Sequence, residues 1–478
     1  MSLNKTKILR AGIAKSDITT SNPEIPIMDP LYAKALVLDD GNTKLAIITM
    51  DVTAIGGRKI SDGMLNDVGE EFLPELRSRM QKKLQIPSLN VLVNASHTHP
   101  PGRLLCDDAE QIDRVYDAVN RAMQNMTEVK VGVGSGIEDR ITMNRTLNLK
   151  NRKQWSIRHT NPSPPDEEVE SFGPVDHEIG VLRIDRLDGS PLAVVYNFAC
   201  HLLFGDAQGS ITGNIPAYAS KVLEETLEND SMAFFIQGAA GDIIDVNFKD
   251  FDRSRNIEAL GTMLGESILK AYRKIRPKKA SLNLISEIIT VPRRTDILDK
   301  VAQLKQEQDE LLKSLIGTTL NFKSFFPLYK NDLKVDPGMD FFNKQNIDKY
   351  LKNISAMEKL ARNQDKIATL EKHQKINKES GEKNIKMELQ AIKIGDCIML
   401  SSPAELLAEI GLNVKKTSPF EHTYIASISN GYFHYAPPAS YYPRGGYEVT
   451  ECLLAPEWEY LFENTVKEIF EELQEKGK

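Results

Sequence analysis

Apolar residues in this chain gather into short dense runs that stop abruptly at polar groups able to do chemistry. The runs YAKALVLDD and KLAIITMD in 31–51 are joined by Asp40-Gly41-Asn42, a hairpin signal, and the second ends in Asp51. Leu89, Val91, Leu92 and Val93 close a further buried strand. The chain then reads Asn94-Ala95-Ser96-His97-Thr98-His99 and is stopped by Pro100, Pro101 and Gly102. LAVVYNFAC delivers His201, MAFFIQGAAGD ends in Asp242, and IKIGDCIMLS runs into Ser402-Pro403-Ala404-Glu405. Shorter strands are predicted at 129–133, 140–145, 179–185 and 424–429. Helical spacing marks 69–84, through Phe72, Leu73, Leu76 and Met80, and also 111–126, 254–272 and 457–474. An aromatic loop covers 430–448.

This alternation predicts an α/β fold, with mixed β-sheets flanked by helices. From about 295 the texture changes: Lys, Glu and Gln dominate, helical spacing appears in 301–315 and 347–370, and 372–386 is nearly all polar. The segment 291–387 reads as a helical insertion in a domain made of 1–290 and 388–478. Its charge runs read as solvated faces; the other reading is an arm that contacts a second copy, giving a homo-oligomer.

In open α/β sheets, ligands bind beyond the carboxyl ends of strands, so one cavity is expected to collect Asp51, His97, His201, Asp242 and Glu405. His97 and His99 are two residues apart, and alternate residues of extended chain share a face. Two imidazoles and a carboxylate are the donors of a zinc site that keeps a position for water. Each has a plainer reading. The histidine pair suits a polar loop, and His201 suits a core. Glu405, three residues after Ser402 with Pro403 between, fits a helix capping box, which is the preferred local reading.

Composition narrows the field. The 478 residues are 41% hydrophobic and 27% charged with net charge −7, which argues against a general nucleic-acid binder. No apolar run reaches the ~18 residues of a transmembrane helix. MSLNKTKILRAG lacks the apolar core of a secretion signal, and the compartment stays open between cytoplasmic and extracytoplasmic. Cys106, Cys200, Cys397 and Cys452 form no CxxC pair, which excludes a Cys-rich zinc site.

Six motifs together carry a resemblance: AGIAKSDIT, NASHTHPPG, NFACH, QGAAGD, the Pro-Ala-Glu step at 403–405, and the loop NGYFHY…GGYE. In this order the sequence resembles the neutral/alkaline ceramidases, zinc amidohydrolases that cleave the amide of N-acyl sphingosine. The resemblance implies that zinc is held by His97, His201, Glu405 and Tyr435, which reverses the local preference for a cap at Glu405. It also implies that His99 is a catalytic histidine beside the metal, Arg145 a substrate-binding arginine and Tyr447 a substrate-contacting tyrosine. The implied partner is a small-molecule or lipid-like N-acyl substrate. The chemistry is coherent: metal-activated water attacks an amide, His99, titrating near ~6.5 when unperturbed, relays the proton, and Arg145 and Tyr447 hold the oxyanion.

Two features depart from the family. Ile244 stands where ceramidases carry a serine, and isoleucine neither attacks a carbonyl nor donates a hydrogen bond. After Glu448 only about thirty residues remain, too few for the family's immunoglobulin-like domain of ~100 residues. The readings are therefore a zinc-dependent amide hydrolase, a zinc hydrolase of an ester or another polar substrate, and a non-catalytic binding protein on the same scaffold.

Overall fold

A computed structural model describes residues 8–56, 68–99, 108–157, 163–203, 210–246, 256–317 and 337–476. Its contacts define two units: Arg294–Gly381 forms one, and the residues before and after it form the other. Pro100, Pro101, Gly102 and Cys106 lie outside the described residues.

The larger unit opens with the antiparallel strands β1 (Arg10–Asp17), β2 (Tyr32–Asp39) and β3 (Lys44–Met50). Helix α1 (Phe72–Leu84) leads to β4 (Val91–Ala95), parallel to β3, and α2 (Asp108–Gln124) leads to β5 (Thr127–Ile137). Four short strands follow: β6 (Thr142–Asn144), β7 (Thr146–Leu149), β8 (Gln154–Ser156) and β9 (Val169–Phe172). Then come β10 (Glu178–Arg186), β11 (Pro191–Phe198), α3 (Asn214–Leu227) and β12 (Met232–Gln237). The long strands make one mixed sheet in the order β12-β11-β10-β5-β1-β2-β3-β4. Strand β13 (Ile243–Asp245) pairs with β6, and α4 (Ile257–Tyr272) precedes β14 (Leu282–Pro292).

Between β14 and its partner strand lies the second unit, with helices α5 (Ile297–Ser314) and α6 (Pro337–Ser380). Ile297, Val301 and Leu304 pack on Ile367 and Leu370. Lys305 pairs with Glu371, Gln308 with Gln364 and Ile316 with Asn353, so the helices run antiparallel. Val291 and Pro292 pair with Ile385 and Asn384 in the sheet, so the helical unit is shorter than 291–387.

The chain re-enters through β15 (Asn384–Ile394) and β16 (Cys397–Ser401), then β17 (Glu405–Leu406), α7 (Ala408–Thr417) and β18 (His422–Ala426). Strands β14, β15, β16 and β18 form the second sheet. Strand β19 (Tyr435–Ala436), the single turn α8 (Tyr447–Thr450) and α9 (Trp458–Glu475) complete the unit.

Strands β2, β3 and β4 are almost unbroken apolar runs because both faces of their sheet are covered. Leu36, Leu38, Leu45, Ile47 and Leu92 meet Ile392, Ile394 and Met399 of the second sheet. Their neighbours Ala35, Val37, Ala46, Ile48, Val91 and Val93 meet Phe72, Leu76 and Met80 of α1 and Val115 and Val119 of α2. Beyond the second sheet, Met387, Leu389 and Leu400 pack on Trp458, Phe462 and Val466 of α9. Helix, sheet, sheet and helix are thus stacked, with burial of each large apolar side chain worth roughly 1.5–3 kcal/mol. No described helix is long and apolar enough to cross a membrane.

Asn94 draws the two ends of the first sheet together. Its Oδ1 accepts from Gln237 N of β12 at 3.0 Å, while its Nδ2 donates to Ser427 O at 2.7 Å and Ser429 Oγ at 2.9 Å, just past β18. Chain segments leaving β4, β12 and β18 therefore meet in one place.

Candidate metal centre

His97 follows β4 and is 1% exposed. Its backbone lies in the left-handed region at φ 67°, a conformation that costs a non-glycine residue of order 1–3 kcal/mol. The surroundings enforce it: His97 N donates to Val52 O at 2.9 Å, and Nδ1 donates to Thr53 O at 2.7 Å. That second bond fixes the tautomer and leaves the Nε2 lone pair facing inward. The convergence of His97 and His99 thus comes from a left-handed turn rather than from extended alternation.

His201 is reached from β11, with Nδ1 3.3 Å from Ala240 O. Its Nε2 lies 3.2 Å from His99 Nε2, which lies 3.2 Å from His97 Nε2. Burial first, then the facing His97 ring, pulls His99 down to about 3 and holds His201 well below the ordinary imidazole range. Both rings are neutral at neutral pH. The relay drawn for His99 from an unperturbed value therefore meets a much weaker base in this enclosure.

Glu405 corrects the local expectation of a helix start. It lies in β17, whose parallel partner β19 sets Glu405 in register with Tyr435, and α7 begins only at Ala408. Ser402 Oγ accepts from Ala404 N at 3.2 Å instead of capping a helix, and Glu405 N donates to His434 O at 3.0 Å. The QGAAGD turn backs this strand closely: Gly241 N donates to Leu406 O at 3.0 Å, and a Cβ on Gly241 would come within 2.9 Å of Glu405 O. The Glu405 carboxylate points to the histidines. Its Oε1 accepts from Tyr432 OH at 2.6 Å, whereas Oε2 is buried 3.3 Å from His97 Nε2 and accepts no hydrogen bond among the described residues. Burial opposes its ionisation, but His97 and the Tyr432 hydroxyl outweigh that and hold the carboxyl at about 2.

Beside this cluster lies a cationic corner. Arg145, between β6 and β7, donates from Nε to Glu448 Oε1 at 2.8 Å, and from Nη2 to Gly241 O at 2.7 Å and to Tyr435 OH at 3.1 Å. Burial disfavours its charge, yet Tyr435, Glu448 and Tyr447 overcome that and raise its pKa. Its Nη1 makes no hydrogen bond among the described residues. The Tyr435 and Tyr447 rings meet edge to face with centroids 5.6 Å apart, and the guanidinium lies 5.5 Å from the Tyr447 centroid. Gly446, at φ 109°, turns the chain just before Tyr447.

Two strand-end acids do not join the cluster. Asp242 caps α7: its Oδ1 accepts from Ala408 N and its Oδ2 from Asn144 Nδ2, both at 2.8 Å. Asp51 receives Tyr32 N at 2.9 Å and lines a different cavity. Ile244 is fully buried with Leu147, Leu149 and Ile157. Asp245 ends β13, buried beside Cys200, whose thiol is pushed well up by burial and then by that carboxylate. Tyr432, Glu448 and the carbonyls of Thr53 and Ala240 were not singled out from the sequence. Tyr432 and Glu448 lie inside quoted motifs, but backbone acceptors leave no mark in a sequence.

The donor set fits a metal ion. The Nε2 atoms of His97, His99 and His201 lie close enough for one ion, and 3.2 Å is near the edge of a tetrahedron with ligands at ~2.0 Å. Glu405 Oε2 would gain the partner it lacks.

Among solved structures, the chain is similar to one described as ceramidase complexed with C2. The TM-score is 0.62 with 15% identity, covering 98% of this chain and 76% of that one. The chain has a ceramidase-like fold. A crystal structure of neutral ceramidase from Pseudomonas aeruginosa is similar at TM-score 0.61 and 14% identity, covering 96% of this chain and 73% of that one. No protein-family model and no curated protein matches the sequence. The ceramidase-like fold is thus visible in the path of the chain at an identity where residue roles do not transfer by themselves.

Proposed function

We propose that the protein is a zinc-dependent hydrolase of an amide bond in a lipid-like N-acyl substrate. The observation that carries this reading is a buried cluster of His97, His99 and His201 close enough to share one ion, with Glu405 Oε2 3.3 Å from His97 Nε2, inside a ceramidase-like fold. His97, His201 and Glu405 would hold the ion, with Tyr435, in register with Glu405, as the fourth donor. When bound, zinc supplies Lewis-acid polarisation of the acyl carbonyl and activation of water near neutral pH.

The chain's own residues do the rest. Thr53 and Ala240 hold the two imidazoles in the tautomers that offer Nε2. Glu448 aims the Arg145 guanidinium, whose Nη1 is left to bind the acyl oxygen as charge develops there. Tyr447, its ring against Tyr435, would add a second donor to that oxygen. The Ile244 side chain is committed to a core, so no nucleophile is assigned to that position.

A second reading of the ligand set has its own observation. His99 Nε2 is 3.2 Å from both other Nε2 atoms, so a three-histidine centre with Glu405 alongside is also compatible.

The test is metal content together with turnover of matched N-acyl amide and ester substrates, before and after chelation. About one zinc ion per chain is expected, with amide turnover lost on chelation and restored by zinc. Turnover of esters alone transfers the reading to ester chemistry, and metal without turnover transfers it to a binding protein. Turnover indifferent to a chelator overturns it.

A further inference from the structure

Asp51, just after β3, lines a cavity of about 310 Å³ between β1, β2, β3, β12 and α3 that is partly open to solvent. Asp29, Tyr32, Lys34, Ser96 and Glu224 also line it. At ~30 Å³ per water this is room for about ten waters, enough for a small molecule but not for a lipid chain.

Most of its charged groups already have partners. Lys34 Nζ donates to Glu224 Oε1 at 2.8 Å and to Ala233 O at 2.9 Å. Asp29 accepts from Gly213 N at 2.8 Å and from the Thr212 hydroxyl. Asp51 and Ser96 each keep one oxygen without a partner among the described residues. Asp51 uses only Oδ2, on Tyr32 N, and no cation lies within ion-pair distance of it among the described residues. Ser96 is 3% exposed, and its Oγ has no hydrogen-bond partner among the described residues. A buried hydroxyl without a partner is destabilising, and a ligand that supplies a donor relieves it. The free atoms are an anionic acceptor and a hydroxyl in a lining of four carboxylates and three lysines. That combination suits a primary ammonium, which brings three donors and one positive charge.

We propose that this cavity binds a small primary amine, its ammonium group held by Asp51 Oδ1 and Ser96 Oγ, and that occupancy is coupled to the metal centre.

The coupling follows from the backbone. Ser96 precedes His97, and Ser96 N donates to Met50 O at 2.9 Å. Asp51 lies within the segment whose carbonyls, Val52 O and Thr53 O, hold the His97 amide and ring. Asp29 reaches the same loop from the other side: its partner Thr212 accepts through its carbonyl from Thr98 Oγ1 at 2.7 Å. A ligand that tightens Asp51 and Ser96 therefore tightens the turn that aims His97. By linkage, metal must alter amine affinity by the same factor that amine alters metal affinity. This coupling rests on the metal reading; amine binding does not.

The experiment measures calorimetric binding of ethanolamine to chelator-treated protein, with ethylene glycol as the uncharged analogue. Saturable binding at about 1 mM or tighter is expected, with no binding of the glycol. Asp51→Asn is expected to weaken ethanolamine at least about tenfold, and Ser96→Ala by a smaller factor, with folding of each checked by circular dichroism. No saturation with ethanolamine, equal binding of the glycol, or undiminished affinity in both variants overturns the amine site. A second titration measures zinc affinity with and without saturating ethanolamine. A shift of at least about threefold supports the coupling, and an unchanged affinity overturns the coupling alone. Failure to bind zinc in either condition overturns the metal reading while the first titration still decides the amine site.

Discussion

Glu448 Oε1 accepts from Arg145 Nε at 2.8 Å with both side chains only 4% exposed, and its Oε2 accepts from Ser156 Oγ at 2.6 Å. The carboxylate thus balances a buried guanidinium and fixes its plane, so that Nη2 reaches Tyr435 while Nη1 meets no acceptor among the described residues. Glu448→Ala leaves an uncompensated buried charge, and a loss of about 3–5 kcal/mol in denaturant unfolding is expected. Glu448→Gln keeps the acceptor but removes the charge. It should unfold closer to wild type while kcat falls more than KM changes.

His97→Ala and His201→Ala should each leave the purified protein without stoichiometric metal, measured by elemental analysis. His99→Ala separates the two ligand sets. Retained metal with kcat lowered by roughly 10²–10⁴ fits a role beside the ion, whereas loss of metal assigns His99 to the ligands.

Tyr432→Phe removes the hydroxyl that steadies Glu405 Oε1 and keeps the ring. Zinc affinity, read by competition with a chromophoric chelator, should weaken about 10–100-fold. An unchanged affinity would mean that Glu405 needs no such support.

Tyr447→Phe tests the oxyanion role. A drop of roughly 10²-fold in kcat with little change in KM is expected, because the hydroxyl acts when charge develops on the oxygen. Normal turnover removes Tyr447 from the machinery.

Asp242 gives a pH signature. Burial raises its carboxyl to about 6 against the Ala408 and Asn144 hydrogen bonds. The folded state therefore holds a proton that the unfolded state has released, and this residue's contribution to stability falls as pH rises from about 4 to about 6. The slope is up to about 1.4 kcal/mol per pH unit. Urea unfolding across that window should show the wild type losing this increment relative to Asp242→Asn.

Strand positions were readable because β2, β3, β4 and β11 are covered on both faces and so are written as continuous apolar runs. The histidines after β4 and β11 stood out as polar groups at abrupt ends of such runs. Which way a strand-end side chain turns was not readable. Asp51 and Asp242 have the same sequence signature as His97, yet one lines a second cavity and the other caps α7. Ser402-Pro403-Ala404-Glu405 satisfies the local rule for a cap. Pairing with Tyr435, thirty residues later, pulls Glu405 into a strand instead, a tertiary contact that no local window contains.

Asn94 joins residues more than three hundred positions away in the chain. Loop closure over such distances comes late in folding. The proposed metal donors, contributed from both sides of that junction, stay dispersed until it closes. Uptake of the ion should accordingly lag behind the appearance of secondary structure on refolding, which makes metal capture a gauge of completed assembly.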